Sequence, residues 1–210
     1  MKIEYFGHSC FRLTTKNGTS ILTDPFTQIG YELPVGLKAD IVLCSHRHFD
    51  HAFVDGVQAK KVIFGYGVWS EKDVKIQGLQ SYHDEVNGKK RGENTVFLIE
   101  TDGVKICHLG DYGEDGIERL KEQLYGVDLL LLPVGGTYTV DAKGAEKIVK
   151  TIAPKHVIPM HYKTQGLSIE IADEKEFLSF YNENEIERVG EEFVYNGENK
   201  RIILMERKAR

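Results

Sequence analysis

Three histidines and one aspartate stand within six consecutive positions of this 210-residue chain, directly after an apolar run at residues 41–44. These residues are His46, His48, Asp50 and His51. Imidazole nitrogens and carboxylate oxygens are donor atoms with which proteins bind Zn²⁺ and related ions. Few requirements other than metal binding place so many of these side chains at this spacing, and the segment therefore predicts a metal site.

The position of this cluster after a strand-like segment suggests how its side chains are directed. If residues 41–44 form a buried strand and the backbone stays extended beyond it, His46 and His48 point to the same side, because side chains alternate along a strand. Asp50 and His51 then follow in a loop or at the start of a helix. There they would face a second ion.

Three further candidate ligands each come directly after an apolar, strand-like run. They are His83, Asp111 and His161. Gly110 permits a tight turn that directs the Asp111 carboxylate towards the edge of a sheet. Because residues distant in sequence converge in the active sites of α/β proteins, we expect these three side chains to join the cluster.

The composition is that of an ordinary globular protein, with 41% hydrophobic and 28% charged residues. The formal net charge of -5 provides no basic field for a phosphate backbone, so a nucleic-acid partner is not expected. No apolar window approaches the length of a membrane span, and a membrane partner is not expected either. The sequence does not determine the oligomeric state.

The cysteines carry information about the compartment. Cys10, Cys44 and Cys107 form no CxxC pair, and the last two lie in apolar runs. We therefore predict reduced thiols and a cytoplasmic protein. Cys10 follows closely after His8, which raises the alternative of a Cys/His nucleophile, but no orienting Asn or Asp stands at a recognisable spacing.

The elements that must position these side chains change in character along the chain. The first half predicts strands joined by turns, at residues 2–6, 11–15, 20–23, 41–44, 62–64, 95–100 and 104–109, with a short helix between residues 44 and 62. The second half alternates strands with helices, which we place at residues 115–124, 142–152 and 173–181. The strands of this half are expected at residues 128–133, 157–159, 192–195 and 201–205.

Strands in series with intervening helices predict an α/β fold in which two sheets pack together and helices cover their outer faces. A four-layer αββα sandwich has this arrangement, and we expect residues 1–210 to form one such domain. A single doubly wound sheet is the alternative. The chain contains no GxGxxG or Walker-type loop, so nucleotide binding by those routes is not supported.

Several short segments together form a recognisable pattern. They are Thr23-Asp24-Pro25, the HxHxDH motif at residues 46–51, His83, Gly110-Asp111 and the late His161. In these residues the chain resembles the metallo-β-lactamase superfamily. Segments 7–11, 132–136 and 158–162 make it similar, more narrowly, to the small UlaG-like or "Zn-dependent hydrolase" branch. The resemblance spans nearly the whole chain and implies the αββα metallo-β-lactamase fold.

The resemblance also implies a centre of two metal ions. One ion would be bound by His46, His48 and His83, and the other by Asp50, His51 and His161, with the Asp111 carboxylate bridging both. Two Zn²⁺ ions per chain are expected, although Mn²⁺ and Fe accept the same ligands.

The resemblance also implies roles for two residues behind the ligands, Asp24 and His108. Asp24 would accept a hydrogen bond from a ligand imidazole and hold it in the correct tautomer. His108 is the rival of His83 for the third position on the first ion. We favour His83, because the family's third histidine precedes a hairpin and residues 95–109 are that hairpin. His108 should face away from Asp111 if strand pairing stays regular, and is expected behind the ligands or in the core.

The activity implied by the resemblance is hydrolysis by a hydroxide held between the two ions, with Asp50 and Asp111 as the catalytic carboxylates. Asp50 would also orient the attacking water. The connection from His51 to His83 is short and leaves no room for an RNA-binding arm. We therefore expect a small-molecule substrate of the phosphodiester or lactone type. Tyr138, after a predicted strand, is a candidate substrate-binding residue.

Two other functions stay open on the sequence. The first is a metal-binding regulatory module whose site has lost turnover. The second is an iron-dependent redox protein, although such relatives usually carry Glu where His48 stands, together with a flavin domain.

Overall fold

The structure, a computed structural model, describes residues 1–207. The strands of this part are β1 (Lys2–Gly7), β2 (Cys10–Thr14), β3 (Ser20–Thr23), β4 (Lys38–Cys44), β5 (Gln58–Phe64), β6 (Gly67–Glu71), β7 (Val74–Tyr82), β8 (Glu93–Thr101), β9 (Val104–His108), β10 (Leu129–Pro133), β11 (His156–Met160), β12 (Ile186–Val189), β13 (Glu192–Val194) and β14 (Ile202–Met205). The α-helices are α1 (Lys121–Leu124), α2 (Ala142–Ile152) and α3 (Lys175–Leu178). The predicted domain of residues 1–210 therefore includes three residues, 208–210, that lie outside the described part.

The strands form two sheets. The first has six strands in the order β13-β1-β2-β3-β4-β5, and the second has eight in the order β12-β14-β11-β10-β9-β8-β7-β6. In the first sheet β3, β4 and β5 are parallel neighbours, and in the second β9, β10 and β11 are parallel neighbours. The carboxyl ends of parallel strands meet at one edge of a sheet, which is where α/β folds bind their ligands.

Apolar side chains that alternate along each strand fill the space between the sheets. In β4, Ile41 and Leu43 belong to the core between the sheets, whereas Val42 and Cys44 belong to the outer layer. Every residue of β10 is buried, because its leucines point alternately into the core between the two sheets and into the core between the second sheet and its helices. Strands buried on both faces therefore have continuous apolar sequences.

Helices cover the outer face of the second sheet. The longest, α2, contributes Ile148, Val149 and Ile152 to the core beneath it. Asp141 caps this helix, because its carboxylate accepts a hydrogen bond from the Gly144 N–H at 2.8 Å. The bounds predicted for this helix from the sequence are confirmed.

The outer face of the first sheet is covered differently. Its apolar layer includes loop residues such as Phe26, Ile29 and Leu167, with one 3₁₀ turn at Val54–Gly56 and no α-helix in the described part of the chain. The helix predicted between residues 44 and 62 is reduced to this single turn. The four-layer sandwich is confirmed, but one of its outer layers is built mainly from loops.

Other elements differ from the predictions in extent. The helix predicted at residues 115–124 starts late, at a 3₁₀ turn that precedes α1, because Gly116 has a left-handed φ of 87°. The helix predicted at residues 173–181 is reduced to α3. The sequence does not predict β6 and β12, which are the two edge strands of the second sheet and have weak apolar alternation. Within residues 1–207 no helix has the length and apolarity needed to cross a membrane.

The structure also bears on the predicted state of the cysteines. All three are buried and unpaired. Burial, together with the nearby Asp24 carboxylate, raises the pKa of the Cys10 thiol well above its ordinary value. Because the thiolate is the nucleophilic form, a Cys/His nucleophile at Cys10 is not supported.

Candidate metal centre

The predicted ligands lie at one end of the sandwich, where strands of both sheets terminate. β3 ends before Asp24, β4 before residues 45–51, β7 before His83, β9 before Gly110-Asp111 and β11 before His161. The residues that follow these five strands are far apart in sequence but lie close together in the structure.

His46, His48 and His83 form the first ligand group. One ring nitrogen of each lies within 4.8 Å of the others, and His46 Nε2 is 3.0 Å from His48 Nδ1. The backbone after Cys44 forms bends instead of extended chain, so the prediction that strand alternation directs His46 and His48 is wrong. The turn of the loop brings their rings together instead.

The second ligand group contains Asp50, His51 and His161, together with His8, which the sequence analysis did not assign. His8 is completely buried. Its Nε2 lies 3.2 Å from Asp50 Oδ2, and its ring packs on the His161 ring with the centroids 4.1 Å apart. His8 therefore contacts two of the predicted ligands of the second ion.

The Asp111 carboxylate lies between the two groups. Its Oδ2 is 3.1 Å from His83 Nε2 and 3.2 Å from His161 Nε2. Its Oδ1 is 3.1 Å from His51 Nε2. One carboxylate thus reaches imidazoles of both ligand groups, which is the position that a bridging ligand requires.

Local contacts fix the turn that carries Asp111. Asn94 Oδ1 accepts a hydrogen bond from the Asp111 N–H at 3.0 Å. Gly110 has a φ of 57°, and a Cβ at this position would lie 2.4 Å from Ser45 Cβ. Only glycine permits this close approach between the turn after β9 and the histidine-rich loop.

Behind the ligands, Asp24 organises three imidazoles through one buried carboxylate. Its Oδ2 accepts hydrogen bonds from His51 Nδ1 at 2.9 Å and from His108 Nε2 at 2.8 Å. The same oxygen accepts from the Ser45 hydroxyl at 2.8 Å, and Ser45 Oγ in turn accepts from His46 Nδ1 at 2.9 Å. In this network Nδ1 of His51 and of His46 carries the proton, as inferred from the hydrogen bonds, which leaves each Nε2 lone pair for a metal.

The two histidines that compete for the third position on the first ion lie in different places. His83 belongs to the first ligand group, whereas His108 belongs to none of the candidate ligand groups of residues 1–207. His108 instead donates its hydrogen bond to Asp24. This placement favours the choice of His83 made from the sequence.

Three residues of the site have a left-handed backbone that non-glycine residues rarely adopt. The φ angle is 55° at His8, 40° at Asp24 and 52° at His161. Such a conformation costs about 1–2 kcal/mol per residue, and residues of this kind cluster at functional sites. The His8 carbonyl accepts a hydrogen bond from the His161 N–H at 3.0 Å, so two of these residues support each other.

The charges in the cluster favour a bound cation. Burial lowers the pKa of His46 well below its ordinary value, which keeps this imidazole in the neutral form that binds metals. Burial also opposes protonation of His51, but the carboxylates of Asp111, Asp24 and Asp50 outweigh this effect and raise the pKa of His51. Three carboxylates around one imidazole create a strongly negative site, which a divalent cation would neutralise.

Two buried polar atoms at the centre show whether its residues fit a metal ion. His51 Nε2 and Asp111 Oδ1 are 3.1 Å apart, but their geometry is not that of a hydrogen bond, and neither has a hydrogen-bond partner among the described residues. Buried polar atoms are almost always paired. A cation bound by the nitrogen and the oxygen would satisfy both, and the donor set of imidazoles and carboxylates fits Zn²⁺ or a related ion.

The cluster opens into a cavity of about 640 Å³, called here the metal-site cavity. Asp50 and Asp111 line it, and so does Tyr138, the candidate substrate-binding residue. Phe49 and Ile169 add apolar surface. The structure therefore brings Tyr138 to the same cavity as the two predicted catalytic carboxylates.

Comparison with known protein families identifies the superfamily. The profile described as "Beta-lactamase superfamily domain" matches residues 2–161, the part of the chain that contains every candidate ligand. This chain belongs to the metallo-β-lactamase superfamily. The fold implied by the resemblance in sequence is thereby confirmed for this superfamily member.

Several known proteins are similar to this metallo-β-lactamase superfamily member. A UPF0173 metal-dependent hydrolase of Thermococcus onnurineus (strain NA1) is 32% identical over 194 residues, covering 78% of this chain and 85% of the relative. A UPF0173 metal-dependent hydrolase of Rubrobacter xylanophilus is 31% identical over 199 residues, covering 78% and 82% of the two chains. A crystal structure from Thermotoga maritima, described as a candidate Zn-dependent hydrolase of the superfamily, has a TM-score of 0.81 and 35% identity over 99% of both chains.

His8 is the residue of this site that sequence reasoning did not assign. It follows Gly7 at the turn between β1 and β2, where the strand register shifts between Tyr5 and Gly7. Such irregularities redirect side chains and are frequent beside active sites. A Gly-His pair at the end of the first strand was therefore the available signal.

Replacing His8 by alanine is expected to weaken binding of the second metal ion by about 10–100-fold, the loss typical of removing a side chain that supports a metal ligand. The physical reason is the contact between His8 Nε2 and Asp50 Oδ2 at 3.2 Å. Stepwise loading in competition with a chromogenic chelator measures the affinity of each ion. His8→Gln retains a donor side chain and should recover part of the loss.

The matched control for His8 is His156→Ala, which removes another buried histidine at the opposite end of β11 from the site. This change should leave both metal affinities unaltered. Equal affinities in His8→Ala and the unmodified protein would show that the contact with Asp50 does not support metal binding.

Proposed function

We propose that the protein is a hydrolase that uses two divalent metal ions, with Zn²⁺ favoured, to cleave a small-molecule substrate of the phosphodiester or lactone type. The observation that carries this proposal is the position of Asp111, whose oxygens lie 3.1–3.2 Å from imidazole nitrogens of both ligand groups. The names of the relatives, which are described as metal-dependent hydrolases, support the reaction class.

The residues that would hold the ions are the two ligand groups described above. They are His46, His48 and His83 for one ion, and Asp50, His51 and His161 for the other, with Asp111 shared. When bound, such ions lower the pKa of water and polarise the oxygen of the scissile group.

Asp50 has a separate task in this proposal, which is to orient the attacking water. Burial alone would raise the pKa of Asp50, but His51 and the hydrogen bond with His8 lower it, so the side chain remains a carboxylate at neutral pH. A carboxylate that lines the metal-site cavity can accept a hydrogen bond from water and hold it in one direction.

His51 is positioned by a residue that does not face the substrate. Its Nδ1 donates to Asp24 Oδ2 at 2.9 Å, which fixes the orientation of the ring and directs Nε2 towards Asp111. This arrangement of carboxylate, histidine and metal is the usual way in which proteins orient a ligand imidazole.

The cavity supports a small substrate. Its volume of about 640 Å³ is within the range of small-molecule sites. Tyr138 lines it and is 40% exposed, which supports a role in contacting the substrate. A net charge of -5 disfavours a large nucleic acid as the substrate.

A cytoplasmic location, where the three free thiols would stay reduced, is part of the same proposal.

The experiment that tests this function is elemental analysis of protein loaded separately with Zn²⁺, Mn²⁺ and Fe²⁺, combined with hydrolysis assays. Bis(4-nitrophenyl) phosphate and a simple lactone represent the two substrate classes. We expect two ions per chain and metal-dependent hydrolysis of at least one substrate, with the most active metal identifying the favoured ion.

Two outcomes would contradict the proposal in different ways. A metal-replete preparation with one ion or none would overturn the two-ion centre. Two ions without hydrolysis of either substrate class would instead support a metal-binding module without turnover.

A further inference from the structure

A second cavity of about 410 Å³ lies beside the metal centre. It shares His48 and Arg91 with the metal-site cavity, so the two spaces adjoin at these residues. Its wall also includes His46, Arg47 and Phe64. Of these residues, only His46 and His48 have a place in the metal chemistry proposed above.

Arg47 presents an unpaired guanidinium to this second cavity. It stands between two ligands of the first group in the sequence, and its guanidinium carbon lies 4.4 Å from the centroid of the Phe64 ring. No carboxylate among residues 1–207 forms an ion pair with it. A guanidinium stacked on an aromatic face keeps the N–H groups in its own plane available for an anion.

Arg91 presents a second guanidinium at the boundary between the cavities. It lies over the Tyr138 ring at 5.6 Å from the centroid, and its Nη2 donates one hydrogen bond to the Thr137 carbonyl at 3.1 Å. It too forms no ion pair with a carboxylate in the described part of the chain. Its other N–H groups remain available.

The loop that carries Arg91 is held in place by one buried carboxylate. Asp84 accepts hydrogen bonds from the backbone N–H groups of Val86, Gly88, Lys90 and Arg91 at 2.8–3.0 Å. The carbonyl of Gly92 accepts from the N–H of His83, a metal-ligand candidate, at 3.1 Å. The position of Arg91 is thereby tied to the metal centre before any ligand binds, which reduces the entropy lost on binding.

The charges of the second cavity favour an anion. The carboxylate that lines it belongs to Glu93, which already accepts hydrogen bonds from the Tyr66 hydroxyl at 3.1 and 3.2 Å. The wall of the second cavity therefore carries two guanidinium groups and one carboxylate. This excess of positive charge lies directly beside the site where the scissile group would bind.

We infer that the second cavity is a subsite for an anionic substituent, a carboxylate or a phosphate, on one arm of the substrate, and that Arg47 and Arg91 recognise it. This inference rests on the proposed function, because the arm is defined relative to the bond cleaved at the metal centre. Guanidinium groups bind planar and tetrahedral oxyanions through paired N–H donors.

The test compares 4-nitrophenyl alkyl phosphates whose alkyl arms end in methyl, carboxylate or phosphonate, in a series of increasing arm length. All of them share one scissile bond. With the Zn²⁺-loaded protein we expect kcat/KM to rise at least about tenfold when the arm of the right length ends in an anion, the size expected for a hydrogen bond to a charged group. The carboxylate and phosphonate arms distinguish the two kinds of anion.

Arg47→Gln and Arg91→Gln should each reduce this preference to about twofold or less, since each removes one charge-assisted contact. Their metal content and thermal unfolding are measured in parallel, so that loss of the centre is not mistaken for loss of the subsite. Arg188→Gln is the matched control, because Arg188 lies on β12 and pairs with Glu183 away from both cavities. It should retain the preference.

A second measurement does not depend on turnover. Calorimetry with alkylphosphonates of the same arm lengths, with and without a terminal carboxylate, reports binding to the Zn²⁺-loaded protein directly. Hydrolysis of all diesters with no preference for an anionic arm, and no difference in calorimetry, would overturn the subsite and leave the hydrolase proposal intact. Absence of hydrolysis of these diesters and of the simple lactone, with anion-dependent binding that both arginine variants lose, would overturn the hydrolase proposal and support the subsite.

Discussion

Replacement of Asp111 by asparagine is expected to reduce hydrolytic turnover by about 10³-fold and to lower the metal content from the proposed two ions per chain to one or none. The amide keeps one oxygen but exchanges the other for a donor that cannot bind a cation. Removing one partner from a buried set of charges costs about 3–5 kcal/mol, and about 1.4 kcal/mol corresponds to each factor of ten. Elemental analysis and kcat/KM of the Zn²⁺-loaded variant measure the two effects.

The control for this change is Asp115→Asn, four residues along the chain. The Asp115 side chain is 95% exposed and has only a long contact with Lys147 at 4.0 Å. It should retain both ions and full turnover. An Asp111→Asn variant that keeps two ions and more than about a tenth of the activity would contradict the bridging role, because that loss corresponds to only about 1.4 kcal/mol.

Replacement of Asp24 by asparagine is expected to lower the free energy of unfolding of the metal-free protein by about 3–5 kcal/mol. Asp24 is completely buried and accepts four hydrogen bonds, from the Ser45 N–H and hydroxyl, from His51 and from His108. The amide nitrogen of asparagine would place a donor against these donors. Urea denaturation measures the change, and chelator competition should show a loss of about 10–100-fold in metal affinity.

The pH dependence of this stabilisation has a definite sign. Burial alone would raise the pKa of Asp24, but His108 and His51 outweigh it and lower that pKa well below its usual range. A lowered pKa means that the contribution is present above the ordinary value of about 3.9. It is lost as the pH falls from there through the lowered pKa.

Asp40→Asn provides the matched control for Asp24. Asp40 also accepts several hydrogen bonds, from the Ser20 N–H and hydroxyl and from Lys60, but it lies near the surface at the start of β4. Its replacement should cost less than that of Asp24, because the side chains of its partners Lys60 and Lys72 are 76% and 54% exposed, and ion pairs with exposed partners contribute little. Equal losses in the two variants would show that burial beside the ligand histidines is not the cause of the effect.

Much of this site could be predicted from residue types alone. The HxHxDH segment has few uses other than metal binding, and His83, Asp111 and His161 each follow an apolar strand. Strand ends from distant parts of the chain were expected to meet, and the structure does bring these residues together. Local periodicity was also sufficient for the bounds of α2, since one apolar face and the Asp141 cap lie within the helix's own sequence.

Other features depended on contacts between distant segments. Whether His83 or His108 joins the first ligand group depends on the face of β9 to which His108 points, and the pairing of β9 with β8 and β10 sets that face. The direction of His48 depended on the bends after Cys44, which strand alternation does not describe.

The sequence by itself determined which candidate ligands follow which strands, because these properties belong to residue types and local periodicity. Only the tertiary structure placed His8 against Asp50 and placed Arg47 and Arg91 at one cavity. Histidine and arginine are common in turns and surface loops, so their types alone carry no such assignment. Their positions follow from strand order and loop packing across both sheets, which residues far apart in the chain decide together.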